Sequence, residues 1–188
     1  MDICIIPYLS HEKETALKTQ TSVLRHNPTM KIILVDGKAP VQLPVSKRVC
    51  WVFFEKALQE YYNSQTTGGF YWVETGVNIL KPFQDWIKEY SQEKKDKILW
   101  IGWTKLLSDY RVGAKIVFFP HASIIEMENR YKSGIIKLQH IDRLLLKLDY
   151  VTGKTKKVGK SNLPGDGMFN LIAKQSNIGT RHHSSLYL

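Results

Sequence analysis

Cysteine is scarce in this chain of 188 residues: Cys4 and Cys50 are the only two, both in apolar, strand-like surroundings. Two thiols cannot staple a disulfide scaffold or by themselves enclose a zinc ion, so both classes are excluded and a reducing compartment is expected. Long apolar runs are missing as well, and none approaches the ~18 residues of a membrane-spanning helix. Acidic residues are few, 17 against 27 Lys and Arg, for a formal net charge of +10. That balance excludes an acidic solvating protein and favours an anionic partner: nucleic acid, an anionic membrane face or a phosphorylated small molecule. No P-loop, nucleophile elbow or HExxH sequence occurs, which weighs against P-loop kinases and the common hydrolases. Helix-turn-helix, RRM and zinc-finger patterns are equally missing. There is no internal repeat.

What is present has globular proportions: 43% apolar and 23% charged residues, enough for one core and too few residues for two comfortable ones. We therefore expect one domain over residues 1–188. The start, Met1-Asp2-Ile3-Cys4-Ile5-Ile6-Pro7, lacks the basic region of a leader segment. A soluble, cytoplasmic protein is the expectation, and the basic charge leaves peripheral contact with a membrane surface open.

Ile3 to Ile6 is a short apolar run closed by Pro7 and reads as a buried strand. Ser10 offers an N-cap, Glu12 and Glu14 suit a first helical turn, and Ala16, Leu17, Val23 and Leu24 mark the face of a helix ending before Pro28. Lys31 to Val35 reads as a second strand, turned by Asp36-Gly37. Strand, helix and strand in this order form a parallel βαβ unit. Val52 to Tyr62 reads as a helix, Phe70 to Val73 as a strand, and Phe83, Trp86, Ile87 and Tyr90 as a helical face. Ile98 to Ile101 and Lys115 to Phe119 are strand candidates. Ile141, Leu144, Leu145 and Leu148 share helical spacing, Thr152 to Ser161 is a Gly-Lys-rich loop, and Met168 to Ala173 reads as helical. The class is α/β, with a mainly parallel sheet flanked by helices.

In an open α/β sheet, ligands bind beyond the carboxyl ends of the strands. Pro7, Tyr8, Asp36, Gly37, Glu74 and Gly76 all stand at such ends. Asp36 can accept hydrogen bonds from a base or ribose, or simply serve the Asp-Gly turn. Tyr8 can stack on a base or lie on the surface. Glu74 ends an apolar strand and is followed by small residues, which suits a cleft floor where Thr75 and Gly76 let a substrate approach the backbone.

Four segments together resemble the nucleotide-sugar-binding GT-A fold of glycosyltransferases, most closely the short viral and bacterial enzymes related to the lipopolysaccharide type. They are Ile6-Pro7-Tyr8 followed by a helix; Ile32-Ile33-Leu34-Val35-Asp36-Gly37; Phe70 through Glu74-Thr75-Gly76 to Lys81-Pro82-Phe83; and Gly165-Asp166-Gly167. The resemblance spans about residues 2–175 and implies a nucleotide-sugar donor and a hydroxyl acceptor, a glycan or a modified DNA base. It implies donor contacts from Pro7, Tyr8, Asp36, Glu74, Thr75 and Gly76, with Arg181 on the diphosphate. It makes Asp166 the catalytic base, a residue equally suited to capping a helix.

The family pattern places two acids around one residue to hold a divalent cation, Mn²⁺ or Mg²⁺. Here Glu74 matches the first and Gly76 stands at the second position; a late histidine, His183, can complete such a site. One carboxylate is a poor hard-cation site. Three options follow: the diphosphate itself recruits the metal, basic side chains replace it, or catalysis is lost. The polar tail with Arg181, His182 and His183 also reads as surface, and Lys154, Lys156, Lys157 and Lys160 as a solvated loop or a lid over the leaving group. Glu126 and Asp142 are reserve candidates for the base. Outside the resemblance, the charge and 11% aromatic content also suit a nucleic-acid-binding or DNA-modifying protein.

Overall fold

In a computed structural model of the chain, the described residues are 1–37, 55–93, 95–101, 104–105, 111–112, 115–135, 150–152 and 172–175. Strand β1 (Ile3–Tyr8) is the longest apolar run of the N-terminal region and is buried from Ile3 to Pro7. It pairs in parallel with β2 (Lys31–Asp36) on one side and with β3 (Phe70–Val73) on the other. The sheet continues through β8 (Ile116–Phe119), β5 (Ile98–Ile101) and β9 (Tyr150–Thr152), in the order β2-β1-β3-β8-β5-β9. Only β8 is antiparallel to its neighbours, so five of the six strands run one way, as the mainly parallel α/β reading expects.

Strands β3, β5 and β8 are buried at every position, because helices cover both faces of the sheet. On one face Ile3, Ile5, Phe70, Trp72, Trp100 and Phe119 pack against α2 (residues 55–63), through Ala57 and Tyr61, and α4 (His121–Lys132), through Ile124 and Met127. On the other, Cys4, Ile6, Tyr71, Val73, Leu99 and Phe118 meet α1 (Lys13–His26), through Ala16 and Val23, and α3 (Gln84–Glu93), through Ile87. Strand β4 (Val77–Ile79) joins this second layer and pairs antiparallel with β10 (Ala173–Gln175). A small ladder of β6 (Thr104–Lys105) and β7 (Arg111–Val112) lies apart from both sheets. Among the described residues no helix is long and apolar enough to cross a membrane.

The sequence reading is corrected at several points. Pro7 does not close β1, which continues to Tyr8. The Pro7 carbonyl accepts from the Thr75 hydroxyl, on the β3 side. A strand residue's nitrogen faces the same side as its carbonyl, and pairing with β3 has already stopped at Ile5–Trp72, so the absent N–H falls where the ladder has ended. Ser10 is not the helix cap: a single 3₁₀ turn spans Ser10–Glu12, and the buried Glu12 reaches back to the Leu9 N–H at 3.0 Å while its own N–H donates to the Leu9 carbonyl. Ala173 belongs to β10, because its backbone is opposite Ile79. Helix α4 had no expectation: its buried stripe is only Ile124 and Met127, and the neighbouring Ile125 is exposed. The expected helix through Ile141 and Leu148 and residues 153–161 of the expected Lys-rich loop fall outside the described residues, whereas Thr152, placed in that loop, ends β9.

Tertiary order depends on polar side chains of α1 that face the second layer. The buried Thr19 accepts from the Gly76 N–H at 3.0 Å, and the buried Ser22 accepts from the Ile79 N–H at 3.1 Å. Asn27 follows the helix and is 3% exposed; its amide donates back to the Val23 carbonyl. Its oxygen meanwhile caps the start of α3. Residues 76 to 84 are thereby fixed against one helix, which sets the position of the turn that precedes them.

Candidate functional site

The carboxyl ends of β2, β1 and β3 stand side by side, and β8, being antiparallel, brings its amino end to the same edge. The edge therefore carries Asp36, Tyr8, Glu74 and Lys115 from four adjacent chain segments. Tyr8 and Asp36 are register partners in the β1–β2 ladder, both half-buried. Tyr8 packs on the α1-side core, and its carbonyl accepts from the Gly37 N–H at 2.9 Å. On the far side, Lys56 of α2 donates to the Asp36 carbonyl at 2.7 Å.

Glu74 continues the β3–β8 ladder. Val73 faces Ile116, and the Glu74 N–H donates to the Lys115 carbonyl at 2.9 Å, so Glu74 and Lys115 are the next opposed pair. Their side chains form an ion pair, Lys115 Nζ donating to Glu74 Oε2, and are only 21% and 15% exposed. Strand alternation starts this pair on the α2 face, whereas Tyr8 and Asp36 start on the α1 face, so the two sets share one edge of the sheet but leave its strands on opposite faces.

The next residues form a type II turn. The Val77 N–H donates to the Glu74 carbonyl at 3.2 Å, and Gly76 occupies the third position with φ +89°. A residue with a side chain is strained there. Gly76 is also buried, with its N–H on Thr19. Each residue of the segment is tied to a different element: Glu74 to Lys115, Thr75 to Pro7 and Gly76 to α1. The backbone thus explains why an acid is lacking at the second position of the expected motif.

The described residues alone do not assemble a site for a resident divalent cation. Glu74 is engaged by an ammonium, and among the described residues no three His, Cys, Asp or Glu side chains converge on one point. The arrangement offers instead a fixed positive charge beside a hydrogen-bonding carboxylate, at the edge where an α/β sheet receives ligands.

The structure thus brings Pro7, Tyr8, Asp36, Glu74, Thr75 and Gly76 to one edge. Asp166, Arg181, His182, His183, the lysines of residues 154–160 and Asp142 lie outside the described residues. Glu126 is exposed on α4 and faces Arg130 at 3.7 Å. Lys115 and Lys56 carried no site expectation. The apolar run after Lys115 shows a strand, but not that the strand is antiparallel, and direction alone places Lys115 at this edge. At the opposite edge, Tyr61 and His121 share a hydrogen bond of 2.7 Å between the hydroxyl and Nδ1, and burial pushes the Tyr61 hydroxyl above its ordinary pKa.

No family model matches the chain, and no curated protein matches it significantly. Among solved structures it matches the crystal structure of the glycosyltransferase GlyE of Streptococcus pneumoniae TIGR4, with a TM-score of 0.50 and 9% identity over 80% of this chain. The apo form of the same protein matches with a TM-score of 0.49 and 11% identity. The chain covers 44% of that protein's length. The fold is therefore glycosyltransferase-like.

Proposed function

We propose that this chain is a glycosyltransferase of the GT-A type, similar to the short viral and bacterial lipopolysaccharide-type enzymes. It moves a sugar from a nucleotide-sugar donor to a hydroxyl of a glycan or a modified nucleic-acid base. One observation supports the reading: the backbone positions of Tyr8, Asp36, Glu74 and Lys115 all stand at the carboxyl edge of a mostly parallel sheet, with Glu74 and Lys115 paired there. The glycosyltransferase-like fold supports it.

In this reading Tyr8 and Asp36 take the nucleoside, by stacking and by carboxylate hydrogen bonds. The Glu74–Gly76 turn forms the floor under the diphosphate and sugar, and Arg181 adds charge to the diphosphate. Asp166 is the catalytic base. The bond from the anomeric carbon to the diphosphate oxygen breaks, its electron pair leaving with the diphosphate. The acceptor oxygen bonds to that carbon, and its proton passes to the Asp166 carboxylate.

The test is donor consumption by the full chain across a panel of UDP-, GDP- and CDP-sugars, with DNA and glycan acceptors present. We expect one donor class to be consumed. If no donor is bound or consumed, the reading fails. Steep loss of DNA affinity with salt, unaffected by any nucleotide sugar, would instead favour the nucleic-acid-binding alternative suggested by the +10 charge.

A further inference from the structure

Lys115 pairs with the carboxylate that a two-acid motif would give to its cation. Its position comes from the backbone: the Glu74 N–H to Lys115 carbonyl bond of 2.9 Å extends the β3–β8 register by one pair. The ammonium lies against Glu74, both side chains being largely shielded from solvent. A charge so shielded is screened less by salt than one on an open surface. The turn that follows needs φ +89° at residue 76 and buries its N–H on Thr19, so this backbone disfavours a second acid there. Across the same rim, Lys56 binds the carbonyl of Asp36 and sets a second ammonium near the end of β2.

We propose that Lys115 is the resident cation of the donor site and that a nucleoside diphosphate binds here without a divalent metal. This deepens the reading above and rests on it. Before the donor arrives, Glu74 holds the ammonium at the rim. When the diphosphate binds, a phosphate oxygen accepts a charge-assisted hydrogen bond from Lys115, which has three donors and needs only one for Glu74. A divalent ion would have to displace Lys115 from Glu74 and would then find one carboxylate there, so added metal brings little.

Calorimetric titration of the full chain with UDP, GDP and CDP tests this, first in EDTA and then with excess Mn²⁺. The diphosphate that binds should do so with the same affinity in both. Lys115→Met should weaken it about ten- to a hundredfold, the value of a hydrogen bond to a charged group. Lys115→Arg should keep most of the affinity. Binding of the matching nucleoside, which has no phosphate, should be unchanged in Lys115→Met, and that control separates a lost charge from a lost fold. Binding abolished by EDTA and restored by Mn²⁺ would overturn the proposal. So would a folded Lys115→Met protein that binds the diphosphate as well as wild type. If no nucleoside diphosphate binds under either condition, the transferase reading itself fails, and this proposal with it.

Discussion

Asn27 joins the end of one helix to the start of another: its Oδ1 accepts from the N–H of Phe83 at 2.9 Å and from that of Gln84 at 3.1 Å. Its amide meanwhile donates to the Val23 carbonyl of α1 at 3.3 Å. The first free N–H groups of α3 are thus satisfied by a residue 56 positions earlier. Asn27→Ala leaves buried donors without a partner and should cost roughly 1–3 kcal/mol in urea unfolding. Asn27→Asp keeps the acceptor and should cost less than Asn27→Ala; equal losses would show that the cap to α3 is not what matters.

Two glycines are required by geometry. A Cβ on Gly69 (φ +83°) would lie 2.2 Å from the Phe119 carbonyl oxygen, a backbone atom that cannot step aside. Gly76 has φ +89° in the turn beneath the candidate site. Gly76→Asp, which restores the two-acid motif on paper, should lose about 1–3 kcal/mol from backbone strain. It should also gain no Mn²⁺ affinity, measured by calorimetry. A stable variant with tight Mn²⁺ binding would contradict the turn argument.

Alkaline pH should weaken the fold. Burial drives the Cys4 thiol far above its ordinary value of 9.0. Burial first, then the Asp2 and Asp85 carboxylates, does the same to the Tyr71 hydroxyl, from 10.0. In the unfolded chain both groups ionise near those ordinary values, so above them the folded state holds more protons than the unfolded one. Stability is then complete below about pH 9 and falls as pH rises, by about 1.4 kcal/mol per pH unit for each ionising group. Urea midpoints taken between about pH 8 and 11 should decline, and Cys4→Ala should remove the earliest part of the decline. A flat profile would show that these groups are accessible in the folded chain.

The proposed roles of Asp36 and Asp166 separate in kinetics. Asp36→Ala should weaken donor binding first. Asp166→Asn should lower turnover by about 10²–10⁴ and leave donor affinity nearly intact. Wild-type turnover in Asp166→Asn would remove it as the base.

Most of the sheet can be read from the sequence, because strands buried on both faces are short, unbroken apolar runs: Ile3 to Ile6, Phe70 to Val73 and Ile98 to Ile101. What apolar pattern cannot carry is direction. Ile116 to Phe119 reads the same whether parallel or antiparallel, and Lys115 joins the candidate site only because β8 is antiparallel. Long-range polar contacts are equally silent: Thr19, Ser22 and Asn27 look like ordinary helix residues, yet their partners are 55 or more positions away. At the site, strand ends pointed to Tyr8, Asp36 and Glu74, whereas the ammonium opposite Glu74 depends on a pairing register that no local motif encodes.

The most direct test of the donor site is an amide NMR titration of the full chain with UDP, GDP and CDP. One nucleotide should shift the amides of Tyr8, Asp36, Gly37, the Glu74–Gly76 turn and Lys115 together, in a saturable manner. No shifts with any of the three would contradict the account. So would shifts confined to the open groove beside α1 lined by Lys18, Arg25 and Asn78.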